Sequence, residues 1–221
     1  MIVFIDIEHE RVQQHPDKWE EHLARRLKTK YRLEEISGDH CLLLRYERAN
    51  PNVLREVNAR AVLVSGNMTE FQHYSEEDLA GLRAIFREPA QPTIGFCGGF
   101  QMMAETHGVE ASAIVADEQG NMDDDSWKAR TSEWGFTPIR KTASHPLLAG
   151  LDDDMYFFEA HYWEIKGCPA GFDVFAETDI TPIQLMAHQK LPLFGTQFHP
   201  EAYDEAHLDG RRLLENFFKL I

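Results

Sequence analysis

Residues 95–99 read Gly95-Phe96-Cys97-Gly98-Gly99, between the apolar run Pro92-Thr93-Ile94 and the helix-patterned run Phe100-Gln101-Met102-Met103-Ala104. A G-x-C-x-G turn in that setting has the form of a nucleophile elbow that carries sulfur. A strand that reverses sharply into a helix holds its turn residue in a strained backbone conformation, and flanking glycines give the turn the room it needs. The thiol is then expected to stand exposed at the helix N-terminus. Unpaired N–H groups and the positive end of the helix dipole favour the thiolate there. The alternative is a buried cysteine that fills a tight strand-to-helix contact.

A nucleophilic thiol needs a base, and the base needs an orienting acceptor on its other ring nitrogen. Near the C-terminus the chain reads Leu193-Phe194-Gly195-Thr196-Gln197-Phe198-His199-Pro200-Glu201. An apolar strand run ending in His-Pro-Glu puts an imidazole at a strand edge, while Pro200 stops the ladder and fixes the chain direction. Glu201, two residues on, can reach the same ring. Cys97, His199 and Glu201 would supply nucleophile, base and orienter. No second His or Cys lies at ligand spacing from His199, which argues against zinc, and no metal or cofactor is expected.

Alternating elements must position these groups. Ile2 to Asp6 reads as a buried strand, and Asp17 to Thr29 as a helix with Trp19, Leu23 and Leu27 on one face. Cys41 to Arg45 and Ala61 to Val64 read as further strands, the second ending in Ser65-Gly66-Asn67. Ser75 can cap a helix that carries Leu79, Leu82 and Phe86, ahead of the Cys97 strand. Such alternation predicts an α/β fold: an open, mostly parallel sheet flanked by helices, with ligands at the carboxyl ends of its strands. After residue 110 the pattern turns to shorter β segments: Trp134 to Ile139, Met155 to Phe158, Tyr162 to Ile165, Phe172 to Phe175 and Ile183 to Ala187. Leu214, Phe217, Phe218 and Ile221 mark a closing amphipathic helix. The acidic stretch from Asp117 to Asp125 reads as a solvated loop without the spaced ligands of a calcium site.

The 221 residues suit one domain, 1–221, with a substantial core. The net charge of −15 opposes a phosphate backbone, so nucleic acid is not an expected partner. Three cysteines, Cys41, Cys97 and Cys168, show no C-x-x-C spacing and fit a reducing cytoplasm better than a disulfide framework. No apolar run approaches the ~20 residues of a membrane span, and the start lacks a basic leader pattern, so neither anchor nor signal peptide is expected.

The two motifs, in this order, resemble those of the class I, or triad-type, glutamine amidotransferases. Pro92 to Gln101 looks like that family's nucleophile segment, and Gly195 to Glu201 like its His-x-Glu segment. The resemblance covers nearly the whole chain and is nearest to the amidotransferase portion of GMP synthases. Val62-Leu63-Val64-Ser65-Gly66 matches the start of the oxyanion segment, Glu133-Trp134-Gly135 resembles a mid-chain motif, and His161-Tyr162-Trp163 falls where a His-Ser dipeptide is common. It implies the family's flavodoxin-like domain and a cysteine-dependent glutaminase. The Cys97 thiolate would attack the glutamine carboxamide, and N–H groups at Asn67 and Gly98, beside Gly66, would hold the oxyanion. His199, oriented by Glu201, would protonate the departing ammonia and then activate water against a glutamyl thioester. Gln101 matches a residue that contacts the amino-acid end of the substrate.

Two departures stand out. The usual oxyanion segment is Ser-Gly-Gly-Pro, whereas Gly66 is followed by Asn67 and Met68. Asn tolerates positive φ, but the rigidity of Pro is lost, and one reading is that the hole forms only with a partner bound. Tyr162 and Trp163 replace the commoner residues after His161, and either substrate contact or core packing would account for them. No glycine-rich ATP loop is visible, so ammonia is expected to pass to a separate synthetase. The alternative is a free-standing hydrolase of larger γ-glutamyl amides with the same triad.

Overall fold

The computed structural model of the protein describes residues 1–116 and 130–221. The acidic stretch from Asp117 to Asp125 lies outside the described residues.

Five short strands build the parallel half of a nine-stranded sheet. They are β1 (Ile2–Asp6), β2 (Cys41–Arg45), β3 (Ala61–Val64), β4 (Thr93–Phe96) and β11 (Leu193–Thr196), in the spatial order β2-β1-β3-β4-β11. β1, β3, β4 and β11 are buried along their whole length, as parallel strands covered on both faces must be. Alternate residues of β1 serve opposite cores. Phe4 joins one with Leu213, Leu214 and Phe217, and Val3 and Ile5 join the other with Leu79, Leu82 and Phe86. The helices that cover these faces are α1 (Pro16–Ser37), α2 (Pro51–Glu56), α3 (Glu76–Arg87), α4 (Gly98–Thr106) and α5 (Asp209–Phe218). Ser75 caps α3 by accepting from Glu77 N–H.

Beyond β11 the sheet turns antiparallel. It continues through β10 (Leu185–His188), β9 (Phe172–Glu177), β6 (Glu133–Lys141) and β7 (Asp154–His161), while β5 (Ala111–Ala113) and β8 (Trp163–Ile165) pair separately. The fold is the expected α/β class: a mostly parallel half, helices on both faces and a β-rich second half.

The first helix departs from expectation in length and in face. It runs on to Ser37 and stops at Gly38, whose φ of 67° is left-handed. Its buried residues are His22, Thr29 and Leu33, whereas Leu23 is 38% and Leu27 45% exposed. The Trp19-Leu23-Leu27 stripe is thus not the core face. Polar contacts turn the helix: His22 and Arg26 bond Asp6 at the end of β1, so the side that reads as polar in sequence lies against the sheet.

Candidate active site

β3, β4 and β11 lie side by side in parallel register, so their carboxyl ends deliver Ser65-Gly66-Asn67, Cys97 and the segment leading to His199 to one edge. At Cys97 the chain turns from β4 into α4 with φ 48° and ψ −109°, a left-handed strain rare outside glycine. Glycines surround it for steric reasons. A Cβ on Gly95 would stand 2.6 Å from the carbonyl oxygen of Gly99. A Cβ on Gly66 would stand 2.9 Å from His199 Cε1 and 3.7 Å from Cys97 Sγ. Gly66 therefore forms a wall over the space between thiol and imidazole. The cysteine is more enclosed than the elbow alone suggests, at 6% exposure.

His199 comes to the sulfur through both halves of the sheet. Its N–H donates to the Phe158 carbonyl on β7 at 2.8 Å, and Pro200 starts a short 3-10 turn, Pro200–Ala202, that carries Glu201 back under the ring. His199 Nδ1 and Glu201 Oε1 lie 2.8 Å apart. Burial disfavours the imidazolium, yet the charges of Glu201 and Cys97 outweigh it and hold the His199 pKa well above the ordinary imidazole value.

The N–H groups of Asn67 and Gly98 donate to no protein acceptor among the described residues. They are neighbours: a Cβ on Gly98 would stand 3.2 Å from Asn67 N and would collide with Asn67 Oδ1. A pocket opens here above Cys97, lined by Asn67, Glu70, Phe71, Gln101, Tyr162 and Trp163 among others. Gln101 Nε2 donates to Trp163 O at 3.0 Å and to Gln197 Oε1 at 3.1 Å, and Gln197 Nε2 sits 3.6 Å from Cys97 Sγ. All the sequence-predicted residues are thereby at or beside one pocket.

Beside this site lies a buried charged cluster to which sequence reasoning assigned no role. Glu133 and His161 are cross-strand partners of the β6–β7 hairpin, and Glu159 follows on the same face of β7. His161 Nε2 lies 3.1 Å from Glu159 and 3.4 Å from Glu133, with all three residues buried. Against the cost of burial, these carboxylates push the His161 pKa up to about 10. Burial raises that of Glu159, whereas the bond from His161 helps to hold Glu133 below its usual value despite its own burial. Three such ligand atoms together could hold a cation, but an imidazolium between two carboxylates already accounts for the charge. The only sequence trace of this cluster is the resemblance at Glu133-Trp134-Gly135 and at His161.

Residues 32–221 match the family model "Glutamine amidotransferase class-I". The chain belongs to the class I glutamine amidotransferase family. It is a cysteine-dependent amidotransferase by that membership. Among curated relatives, it is 32% identical over 173 residues to a glutamine-hydrolyzing GMP synthase subunit of Methanopyrus kandleri, covering 77% of this chain and 80% of that protein. The protein of the same name from Pyrococcus abyssi is 30% identical over 129 residues, covering 58% of this chain and 60% of that relative. A solved glutamine amidotransferase from Methylobacillus flagellatus superposes with a TM-score of 0.64 at 15% identity, covering 99% of this chain and 92% of that one. A chain from Thermoplasma acidophilum reaches a TM-score of 0.72 at 19% identity, covering 100% and 94%. At such identities the structural likeness speaks for the amidotransferase fold alone. Among the described residues no helix is long and apolar enough to cross a membrane.

Proposed function

We propose that this amidotransferase hydrolyses the side-chain amide of glutamine through Cys97, His199 and Glu201 and hands the ammonia to a separate synthetase. One observation carries the reading: a strained elbow sets Cys97 beside a half-buried imidazole clasped by Glu201, with two unclaimed backbone N–H groups next to the sulfur.

The Cys97 thiolate forms the S–C bond to the carboxamide carbon, and the carbonyl oxygen takes the negative charge between the N–H groups of Asn67 and Gly98. The His199 imidazolium gives its proton to the amide nitrogen, the C–N bond breaks, and ammonia leaves. The imidazole then takes a proton from water as the hydroxide attacks the glutamyl thioester. The C–S bond breaks, glutamate departs and the thiol is restored. Glu201 holds the ring in register and supports its charge. Gln101, Tyr162 and Trp163 line the glutamine pocket, and the whole chain, 1–221, acts as one amidotransferase domain.

The reading is supported by the family membership and by the Methanopyrus and Pyrococcus relatives, whose names as GMP synthase subunits motivate the synthetase partner. Its test is glutamate release from glutamine and from a panel of larger γ-glutamyl amides. Turnover of glutamine is expected, with a loss of several orders of magnitude in Cys97→Ala. Turnover of a larger amide in preference to glutamine would replace the synthetase partner with a free-standing γ-glutamyl hydrolase, and parent-level activity in Cys97→Ala would overturn the nucleophile.

A further inference from the structure

The segment that follows Gly66 lacks a proline, yet it is held from the end of β1 at successive peptide groups. Glu8, 1% exposed, turns its carboxylate into this loop. Met68 N–H donates to Glu8 Oε2 at 2.7 Å, and Thr69 N–H and Oγ1–H donate to Oε1 at 3.1 and 2.8 Å. His9 N–H adds a fourth bond to Oε1 at 3.1 Å. Three of these four donors belong to the loop and leave it little freedom, because each is charge-assisted and each would be orphaned by movement.

At Gly66, Arg26 Nη2 donates to the carbonyl oxygen at 2.7 Å, and Ser65 Oγ donates to the same oxygen at 2.9 Å. Arg26 is itself fixed, since its Nε donates to Asp6 Oδ1 at 2.9 Å. In a trans peptide the carbonyl and the next N–H point in opposite directions, so holding Gly66 O on the α1 side aims Asn67 N–H away from it, over Gly98 and Cys97. The Asn67 side chain completes the brace by donating to Thr69 O and to Tyr74 Oη, whose hydroxyl donates in turn to Ile7 O at 2.8 Å.

We infer that Glu8, with the Asp6–Arg26 pair, is the positioning device of the oxyanion hole: it fixes the Gly66–Thr69 loop so that Asn67 N–H stands ready over Cys97 without a partner bound. Glu8 does by hydrogen bonding what a proline does by covalent restraint. The inference rests on the proposed role of Cys97 as nucleophile and of Asn67 N–H as oxyanion donor. It makes the hole a property of this chain.

The test compares two electrophiles on the intact protein, read by mass. A glutamine-derived diazoketone needs its ketone oxygen seated in the hole, whereas iodoacetamide needs only the thiolate. The parent is expected to be labelled at Cys97 by both. In Glu8→Ala, labelling by the diazoketone should fall by about 10²-fold or more, the loss typical of a missing oxyanion donor, while iodoacetamide reacts at the parent rate. Glu8→Gln, which keeps the shape and one acceptor oxygen, should fall between the two. If Glu8→Ala does not fold, Thr69→Val carries the comparison, since it removes one of the same bonds without changing side-chain shape. Equal diazoketone rates in parent and variants overturn the inference, as does a parent labelled by iodoacetamide alone. A parent whose Cys97 is labelled by neither reagent overturns the proposed nucleophile instead.

Discussion

His199 has three groups to answer to: the burial that opposes its charge, and the Glu201 carboxylate and Cys97 sulfur that favour it. A histidine whose pKa is raised keeps its proton to higher pH, so in the proposed mechanism the proton destined for ammonia is lost only on the alkaline side. Glu201→Gln removes one of the two supports while retaining a hydrogen-bond acceptor for Nδ1. The alkaline limb of kcat/KM for glutamine should therefore move to lower pH, with kcat reduced less than in His199→Ala. An alkaline limb that stays in place would show that Glu201 does not set the charge of the ring. At this scale the sequence was informative for groups that make motifs, namely Cys97, His199 and Glu201. It was silent on Glu8 and Glu159, because a lone acidic residue in a strand or turn reads as solvent-facing until the fold buries it.

Strand and helix boundaries in the first half were legible for a physical reason. Parallel strands buried on both faces are apolar runs, so Ile2–Asp6 and Ala61–Val64 could be read to the residue, and the edge strand Cys41–Arg45, only half-buried, was legible from its own apolar run Cys41 to Leu44. α1 was not, because its inward face is fixed by charge. His22 Nε2 lies 2.8 Å from Asp6 Oδ2 and Arg26 follows one turn later, which rotates Leu23 and Leu27 outward. Two substitutions separate the faces. Leu33→Ala, in the fully buried core under β1, should cost about 2–5 kcal/mol of unfolding free energy. Leu27→Lys should stay within about 0.5 kcal/mol, as a change on an exposed helix surface does. Comparable losses in urea denaturation would put the stripe of Leu23 and Leu27 back in the core.

The whole molecule joins a parallel half, which aligns Cys97 and the Gly66–Thr69 loop, to an antiparallel half, which backs them with buried charge. The halves join at the β11–β10 pair, and the β6–β7 hairpin reaches back to the site, where Phe158 O accepts from His199 N–H and the next residue, Glu159, faces His161. Because the whole fold must form to bury that imidazole, its proton is a term in global stability. The sign follows from the raised pKa, about 10 in the folded protein against about 6.5 for a free imidazole. The folded state binds the proton more tightly, so His161 contributes fully below about pH 6.5, and its contribution is lost as pH climbs towards 10. The thermal midpoint should decline across that window. Glu159→Gln removes the carboxylate that does most to raise the His161 pKa, so the decline should become shallower and end at lower pH. Paired thermal melts of parent and variant from about pH 6 to pH 10 measure it, and identical slopes would mean that His161 is not charged in the fold.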